Sequence, residues 1–203
     1  DGSGKEYAGF IKTAKPKSLT VEIIRTKIPK PEKLPAITLA QSIPKKQKMD
    51  YIIEKSTELG INNIIPIISE RVTVRLNGEK AVDRVERWQK IAFEASKQCG
   101  RTDVPKINTI QRFYNAIDNI SDYDLSFMAC LSGNTIPLRE AISEFKTGRI
   151  IVFIGPEGDF TPEEIQMAKD ANCKFVSLGN RVLKSDTAGL YVLSALNYEF
   201  SSS

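Results

Sequence analysis

Residues 150–154 read Ile-Ile-Val-Phe-Ile, five apolar side chains in succession. Successive side chains of a strand point to opposite faces, so a half-exposed strand alternates apolar with polar residues. A run without alternation needs both faces covered, which is the environment of a central strand in a parallel sheet. The residues that follow agree. Gly155-Pro156-Glu157-Gly158-Asp159 reads as a loop. Thr161-Pro162-Glu163-Glu164 then has the pattern of a helix start, with Thr161 as N-cap, Pro162 at the first helical position and Glu164 closing a capping box. Residues 175–178 predict the next strand, 179–185 a loop, and 186–200 a mostly apolar final helix with Asp186 at its positive end.

The same alternation of strand and helix extends back to Ala36. Residues 36–41, 64–68 and 125–131 predict strands, the second weakened by Pro66. Residues 46–59 predict a helix with Met49, Ile52, Ile53 and Leu59 on one face and Gly60 as its stop. Over residues 82–98, Val82, Val85, Trp88, Ile91, Ala92 and Ala95 recur at helical spacing. Shorter helices are expected at 113–119 and 138–145. The fold class is therefore α/β, a mainly parallel sheet with helices on both faces.

The N-terminal part differs. Residues 5–12 and 18–25 predict two strands joined by Lys15-Pro16-Lys17, with Leu19, Val21 and Ile23 on one buried face. Lys27 to Pro35, with three prolines, reads as an extended linker. The expected division is residues 1–34 and residues 35–203. The first part is too short to bury a core alone, so it is expected to be the tail of a small β domain whose beginning is missing.

Composition narrows the chemistry. The sequence has no histidine, which removes His-based triads and the usual neutral-pH general base. Three widely spaced cysteines, Cys99, Cys130 and Cys173, argue against a disulfide framework and a zinc site, and suggest reduced thiols in a cytoplasmic protein without a metal. No run of about 18 apolar residues is available to span a membrane. A net charge of +4 permits a polyanionic partner without demanding one.

Two loops carry the candidate chemistry, each at the carboxyl end of a predicted strand, where open α/β sheets bind ligands. In Gly155-Pro156-Glu157-Gly158 the glycines admit close backbone approach. In the second, residues 178–188, the apolar pair Val182 and Leu183 stands between Arg181 and Lys184. Neither phosphate-binding glycine signature occurs, so the loops suit a ligand without phosphates.

These words, Gly155-Pro156-Glu157-Gly158, Leu178-Gly179-x-Arg181-Val182-Leu183 and Ser185-Asp186-Thr187-Ala188, resemble the signature of the ribosomal RNA uridine-N3 methyltransferases, the RsmE-type members of the SPOUT superfamily. Lys55-Ser56-Thr57-Glu58-Leu59-Gly60 with Pro66 and Ser69-Glu70-Arg71, and Glu94-Ala95-Ser96-Lys97-Gln98-Cys99-Gly100-Arg101, are similar to two further stretches of that family, in the same order. The resemblance covers residues 36–198 and implies a trefoil-knotted SPOUT domain preceded by a partial PUA-like RNA-binding β domain. It implies S-adenosylmethionine held by Leu131, Ile154, Gly155, Pro156, Glu157, Gly158, Leu178, Gly179, Val182, Leu183 and Ala188. It implies a homodimer through the knot region, acting on small-subunit (16S) ribosomal RNA. The sequence departs from the family pattern at Asp159, where a second glycine is usual, and at Lys184-Ser185-Asp186, where Arg-Thr-Glu is usual.

Methylating a uracil N3 requires loss of the N3 proton and stabilisation of the anion that develops. Arg101 and Arg181 are the candidate cations beside the base and Glu157 a candidate proton acceptor. Lys46, Arg71, Arg75, Lys97, Arg101 and Lys184 are candidate RNA contacts. Cys99 is expected to be a small, partly buried residue rather than a nucleophile, because a deprotonated N3 needs no covalent step. The alternatives are a SPOUT methyltransferase acting on the ribose 2′-hydroxyl and a non-catalytic RNA-binding or assembly module.

Overall fold

The computed structural model describes residues 2, 4–28, 34–46, 48–73, 78–131 and 133–201. The elements run β1 (Glu6–Lys15), β2 (Ser18–Lys27), β3 (Ala36–Ser42), α1 (Lys48–Glu58), β4 (Asn63–Ile68), α2 (Gly78–Cys99), β5 (Lys106–Ile107), β6 (Gln111–Arg112), α3 (Phe113–Asp118), β7 (Leu125–Ala129), β8 (Ile136–Pro137), α4 (Leu138–Ile142), β9 (Arg149–Ile154), α5 (Pro162–Asp170), β10 (Lys174–Ser177) and α6 (Ser185–Phe200). Strands β3 to β10 make one sheet in the order β5-β4-β3-β9-β7-β10-β8, with β6 also on β4, and every pair is parallel.

The uninterrupted apolar run lies where its composition requires. Strand β9 sits between β3 and β7. Its Ile150, Val152 and Ile154 join one core with Met49, Ile52 and Ile53 of α1, Trp88 of α2 and Val192, Leu193 and Leu196 of α6. Its Ile151 and Phe153 join a second core with Phe113 and Ile117 of α3 and Ala168 of α5. Period-two alternation thus feeds two helix layers, one on each face.

Pro66 is tolerated inside β4 for a local reason. Ile64 accepts a hydrogen bond from Asn108 N–H on the β5 side, so Pro66, two residues on, faces that side too. Strand β5 ends at Ile107 and β6 begins at Gln111, so no ladder partner lies opposite the missing N–H.

The capping box of α5 forms as expected. Thr161 Oγ1 accepts from Glu164 N–H at 3.2 Å, and Glu164 Oε2 accepts from Thr161 N–H at 2.9 Å. The buried Glu164 also accepts Glu70 N–H through Oε1 at 2.9 Å, fastening α5 to the segment after β4. Thr161→Ala is expected to lower unfolding free energy by about 1 kcal/mol, read from the denaturant midpoint with an unchanged slope.

Two expectations need correction. The β1–β2 hairpin forms, antiparallel with two register shifts, but its apolar face is not buried: Leu19, Val21 and Ile23 are all exposed. The hairpin is a separate two-stranded sheet, and a lone pair of strands encloses no core. In α2 the packed stripe starts at Val85; Val82 is exposed. Most of the expected linker, residues 29–33, lies outside the described residues.

Candidate functional site

The carboxyl ends of β7, β9 and β10 open into one pocket of about 360 Å³, which is the size of a small-ligand site. Three walls form it: the 155–159 loop after β9, the 178–185 loop after β10, and residues 129–131 with Thr135 after β7. Strand β7 lies between β9 and β10, so their loops converge over its end. Leu131 and Val182 expose their apolar side chains here, at 61% and 76%. Glu157 and Asp159 supply carboxylates, while Arg181 and Lys184 supply cations.

The loop after β9 is shaped by what a side chain at Gly155 would strike. A Cβ there would meet the Phe160 ring at 3.2 Å and Asp159 Oδ1 at 3.3 Å. Asp159 itself has φ +60, the left-handed region that aspartate tolerates better than most residues. Its carboxylate compensates through two backbone bonds: Oδ1 accepts from Phe160 N–H at 2.9 Å and Oδ2 from Leu131 N–H at 3.2 Å. The second bond ties the β9 loop to the β7 wall.

The loop after β10 is tied down through α6. Ser185 Oγ donates to the Gly155 carbonyl at 2.5 Å and accepts from Gln41 Nε2 at 2.9 Å. Gln41 is fully buried at the end of β3 and also donates to Ser42 O. The Ser185 hydroxyl, backed by Gln41 from the sheet, thus fastens the two ligand loops together. Ser185→Ala removes the donor to a buried carbonyl and leaves a Gln41 N–H without an acceptor. The expected cost is about 1–2 kcal/mol in unfolding free energy. Ser185→Thr, which keeps the hydroxyl, should recover most of it in the same denaturant titration.

Lys48 Nζ lies 3.5 Å from Asp186 in the first turn of α6 and 4.0 Å from Glu157 in the loop after β9, bridging the two carboxylates. Glu157 Oε1 also accepts from Lys45 N–H at 3.3 Å. Cys130 lines the pocket, but burial and the neighbouring Asp159 carboxylate push its thiol up to about 12, so it stays protonated near neutral pH.

Of the expected cofactor residues, Leu131, Ile154, Gly155, Pro156, Glu157, Leu178, Gly179, Val182, Leu183 and Ala188 line this pocket. Gly158 does not. It faces Arg71, whose guanidinium donates to the Gly158 and Phe160 carbonyls, and an added Cβ would meet Arg71 Cδ at 3.4 Å. Glu157 and Arg181 stand on the wall, but Arg101 is absent from it. Arg101 Nη1 donates to the carbonyls of Thr57 and Ile61, just before β4 begins, at the opposite end of the sheet. Cys99 is exposed rather than partly buried, because it is the last residue of α2 at that same far end.

The expected RNA contacts divide likewise. Lys184 is on the pocket wall, Lys46 is exposed beside the Lys45–Glu157 contact, and Arg71 braces the loop after β9. Lys97 pairs with Glu94 and lies over the Phe93 ring near the far end of α2. Arg75 lies outside the described residues. Gln41, Asp159 and Ser185 escaped notice as site residues. Asp159 and Ser185 were legible only as positions in the loop words, because the contacts that join the walls span 28 to 144 residues.

Fold and site together define an α/β domain whose ligand pocket is built by loops at the carboxyl ends of adjoining parallel strands. Residues 30–197 match the RNA methyltransferase domain family, and the chain belongs to it, within the group of ribosomal RNA small subunit methyltransferases E. The relative from Aquifex aeolicus is 30% identical over 196 residues, covering 95% of this chain and 81% of the relative. The one from Bacillus subtilis is 33% identical over 157 residues, covering 75% of this chain; the aligned part is 61% of that protein's length. Among solved structures, the Neisseria gonorrhoeae ribosomal RNA small subunit methyltransferase E bound to S-adenosylmethionine has a TM-score of 0.85 at 33% identity, covering 98% of this chain and 81% of that one. A Legionella pneumophila structure with the same cofactor bound has a TM-score of 0.89 at 30% identity, with the same coverages. No helix among the described residues is long and apolar enough to cross a membrane.

Proposed function

We propose that this chain is the methyl-transferring part of an S-adenosylmethionine-dependent enzyme that methylates N3 of a uridine in small-subunit ribosomal RNA. The observation that carries it is the convergence of the 155–159 and 178–185 loops on one pocket with apolar rims and carboxylates facing cations. The donor has those features: an apolar adenine, a positively charged sulfur, and a methionine end bearing both charges. The absence of a side chain at Gly155 lets Phe160 and Asp159 pack closely against the loop, which sets the shape of this wall.

When bound, S-adenosylmethionine supplies an electrophilic methyl group, so the protein has to align the base and stabilise charge. Arg181, which lines the pocket, is the cation assigned to stabilise negative charge spreading onto the uracil carbonyl oxygens. Glu157, half-exposed and held by Lys48 and the Lys45 N–H, is the group assigned to accept the N3 proton. Lys46, Arg71 and Lys184 around the mouth suit the RNA phosphates.

The finer architecture belongs to the same proposal. A trefoil knot in residues 35–203 is supported by the sheet order, in which β7 lies between β9 and β10. A PUA-like remnant in residues 1–34 is supported by the separate hairpin sheet. Homodimerisation is supported by the exposed Tyr191 and Tyr198 of α6, and a cytoplasmic location by three free cysteines.

The test is calorimetric binding of S-adenosylmethionine, followed by transfer to small subunits from a strain lacking the modification. Nucleoside mass spectrometry should find 3-methyluridine. A 2′-O-methylated nucleoside would replace the base-methylating assignment with the ribose one, and no donor binding would leave the RNA-binding module as the better account.

A further inference from the structure

We infer that Asp159 sets the preference of the pocket for the charged methyl donor over the spent product, an inference that rests on the donor site proposed above. The carboxylate is placed by two hydrogen bonds, from Phe160 N–H to Oδ1 and from Leu131 N–H to Oδ2. It thus lies where the β9 loop meets the β7 wall, on the lining of the pocket. The other lining carboxylate, Glu157, is bridged to Lys48. Among the described residues no cation pairs with Asp159, so its charge is not offset by a neighbour. Arg181 and Lys184 stand on the wall contributed by the 178–185 loop, where they oppose a second cation and favour a ligand carboxylate.

Transfer removes one positive charge from the ligand. The sulfur–methyl bond breaks, sulfur keeps the electron pair, and a sulfonium becomes a neutral thioether. The rest of the ligand is unchanged. A wall carboxylate therefore stabilises the donor more than the product, whereas the apolar contacts serve both equally. Asp159 lines the cavity itself, so a charge bound there lies at short range from its carboxylate. That is inside the screening length of about 10 Å at 0.1 M salt. One unit charge at such range changes affinity by about 3- to 10-fold.

The experiment measures dissociation constants of S-adenosylmethionine and S-adenosylhomocysteine for the wild type, Asp159→Asn and Asp159→Gly. Asparagine keeps the shape and tolerates the left-handed backbone, and glycine removes the strain, so both variants are expected to fold. Both lose the charge. The expected result is that the ratio of the two constants moves about 3- to 10-fold against the donor in both variants, over and above any loss common to both ligands from the freed Leu131 N–H. Equal weakening of both ligands, or an unchanged ratio, overturns the inference and leaves the proposed function standing. Failure of the wild type to bind either ligand overturns both.

Discussion

Replacing Arg101 by alanine is expected to lower unfolding free energy by about 2–4 kcal/mol while leaving donor affinity within about twofold, the opposite of what a pocket residue would do. Arg101 is mostly buried, and Nη1 donates to Thr57 O at 3.0 Å and Ile61 O at 2.8 Å. Thr57 is in the last turn of α1 and Ile61 lies just before β4, so the guanidinium closes the helix end and fixes the entry of the next strand. Nε and Nη2 donate to the Asp103 carboxylate at 3.3 and 2.7 Å. Removing the fork leaves the two carbonyls without these donors and Asp103 without its cation. Arg101→Lys should recover little, because an ammonium cannot serve the carbonyls and a bidentate carboxylate together.

The pH dependence follows from the same pair. The hydrogen bonds from Arg101 hold the Asp103 carboxyl below the ordinary aspartate range. A depressed folded value contributes stability above the unfolded value, lost as pH falls through the folded one. The acid limb of the stability curve should therefore be shallower in Arg101→Ala than in the wild type. Denaturant titrations of both proteins between neutral and acid pH measure it. A variant with wild-type stability and lost donor binding would return Arg101 to the pocket.

Arg101 illustrates which features a sequence carries in readable form. Local periodicity is such a feature. The run at 150–154 announced a doubly covered strand because an apolar run records the burial of both faces, and the Thr161–Glu164 spacing announced a capped helix because its two bonds lie within three residues. The two ligand loops were legible for a related reason, since each follows a recognisable strand. A motif word does not say which side of the sheet its residues serve. Gln98 to Arg101 closes a 22-residue helix that carries the chain from the carboxyl ends of the strands back to their amino ends, a distance of about 30 Å. The fastening of the pocket was likewise hidden, because Gln41 and Ser185 meet only after the sheet has assembled. The face of Leu19, Val21 and Ile23 was patterned for burial, but pattern alone names no partner.

Gly179→Val should weaken donor binding by roughly 100-fold while changing the unfolding free energy by less than about 1 kcal/mol. Gly179 has φ +106, beyond the left-handed well that asparagine or aspartate can share, and such a conformation costs another residue about 1–3 kcal/mol. No heavy atom lies within 4 Å of its Cβ position, so the penalty is a backbone one and not a collision. The loop has two ways to respond. It can keep its shape and destabilise the fold, or rotate to negative φ and abandon its shape. Asn180, Arg181 and Val182 are exposed and anchor little, so rotation costs less than strain. Rotation displaces the residues from Asn180 to Lys184 that line the pocket, and the penalty appears in affinity. Gly179→Ala separates backbone from bulk: the same direction with a smaller loss follows if φ decides, because β-branching adds to the strain of valine. Calorimetry of the donor together with denaturant titration reads both quantities. Wild-type affinity in Gly179→Val would mean that the path of this loop does not shape the grip on the ligand.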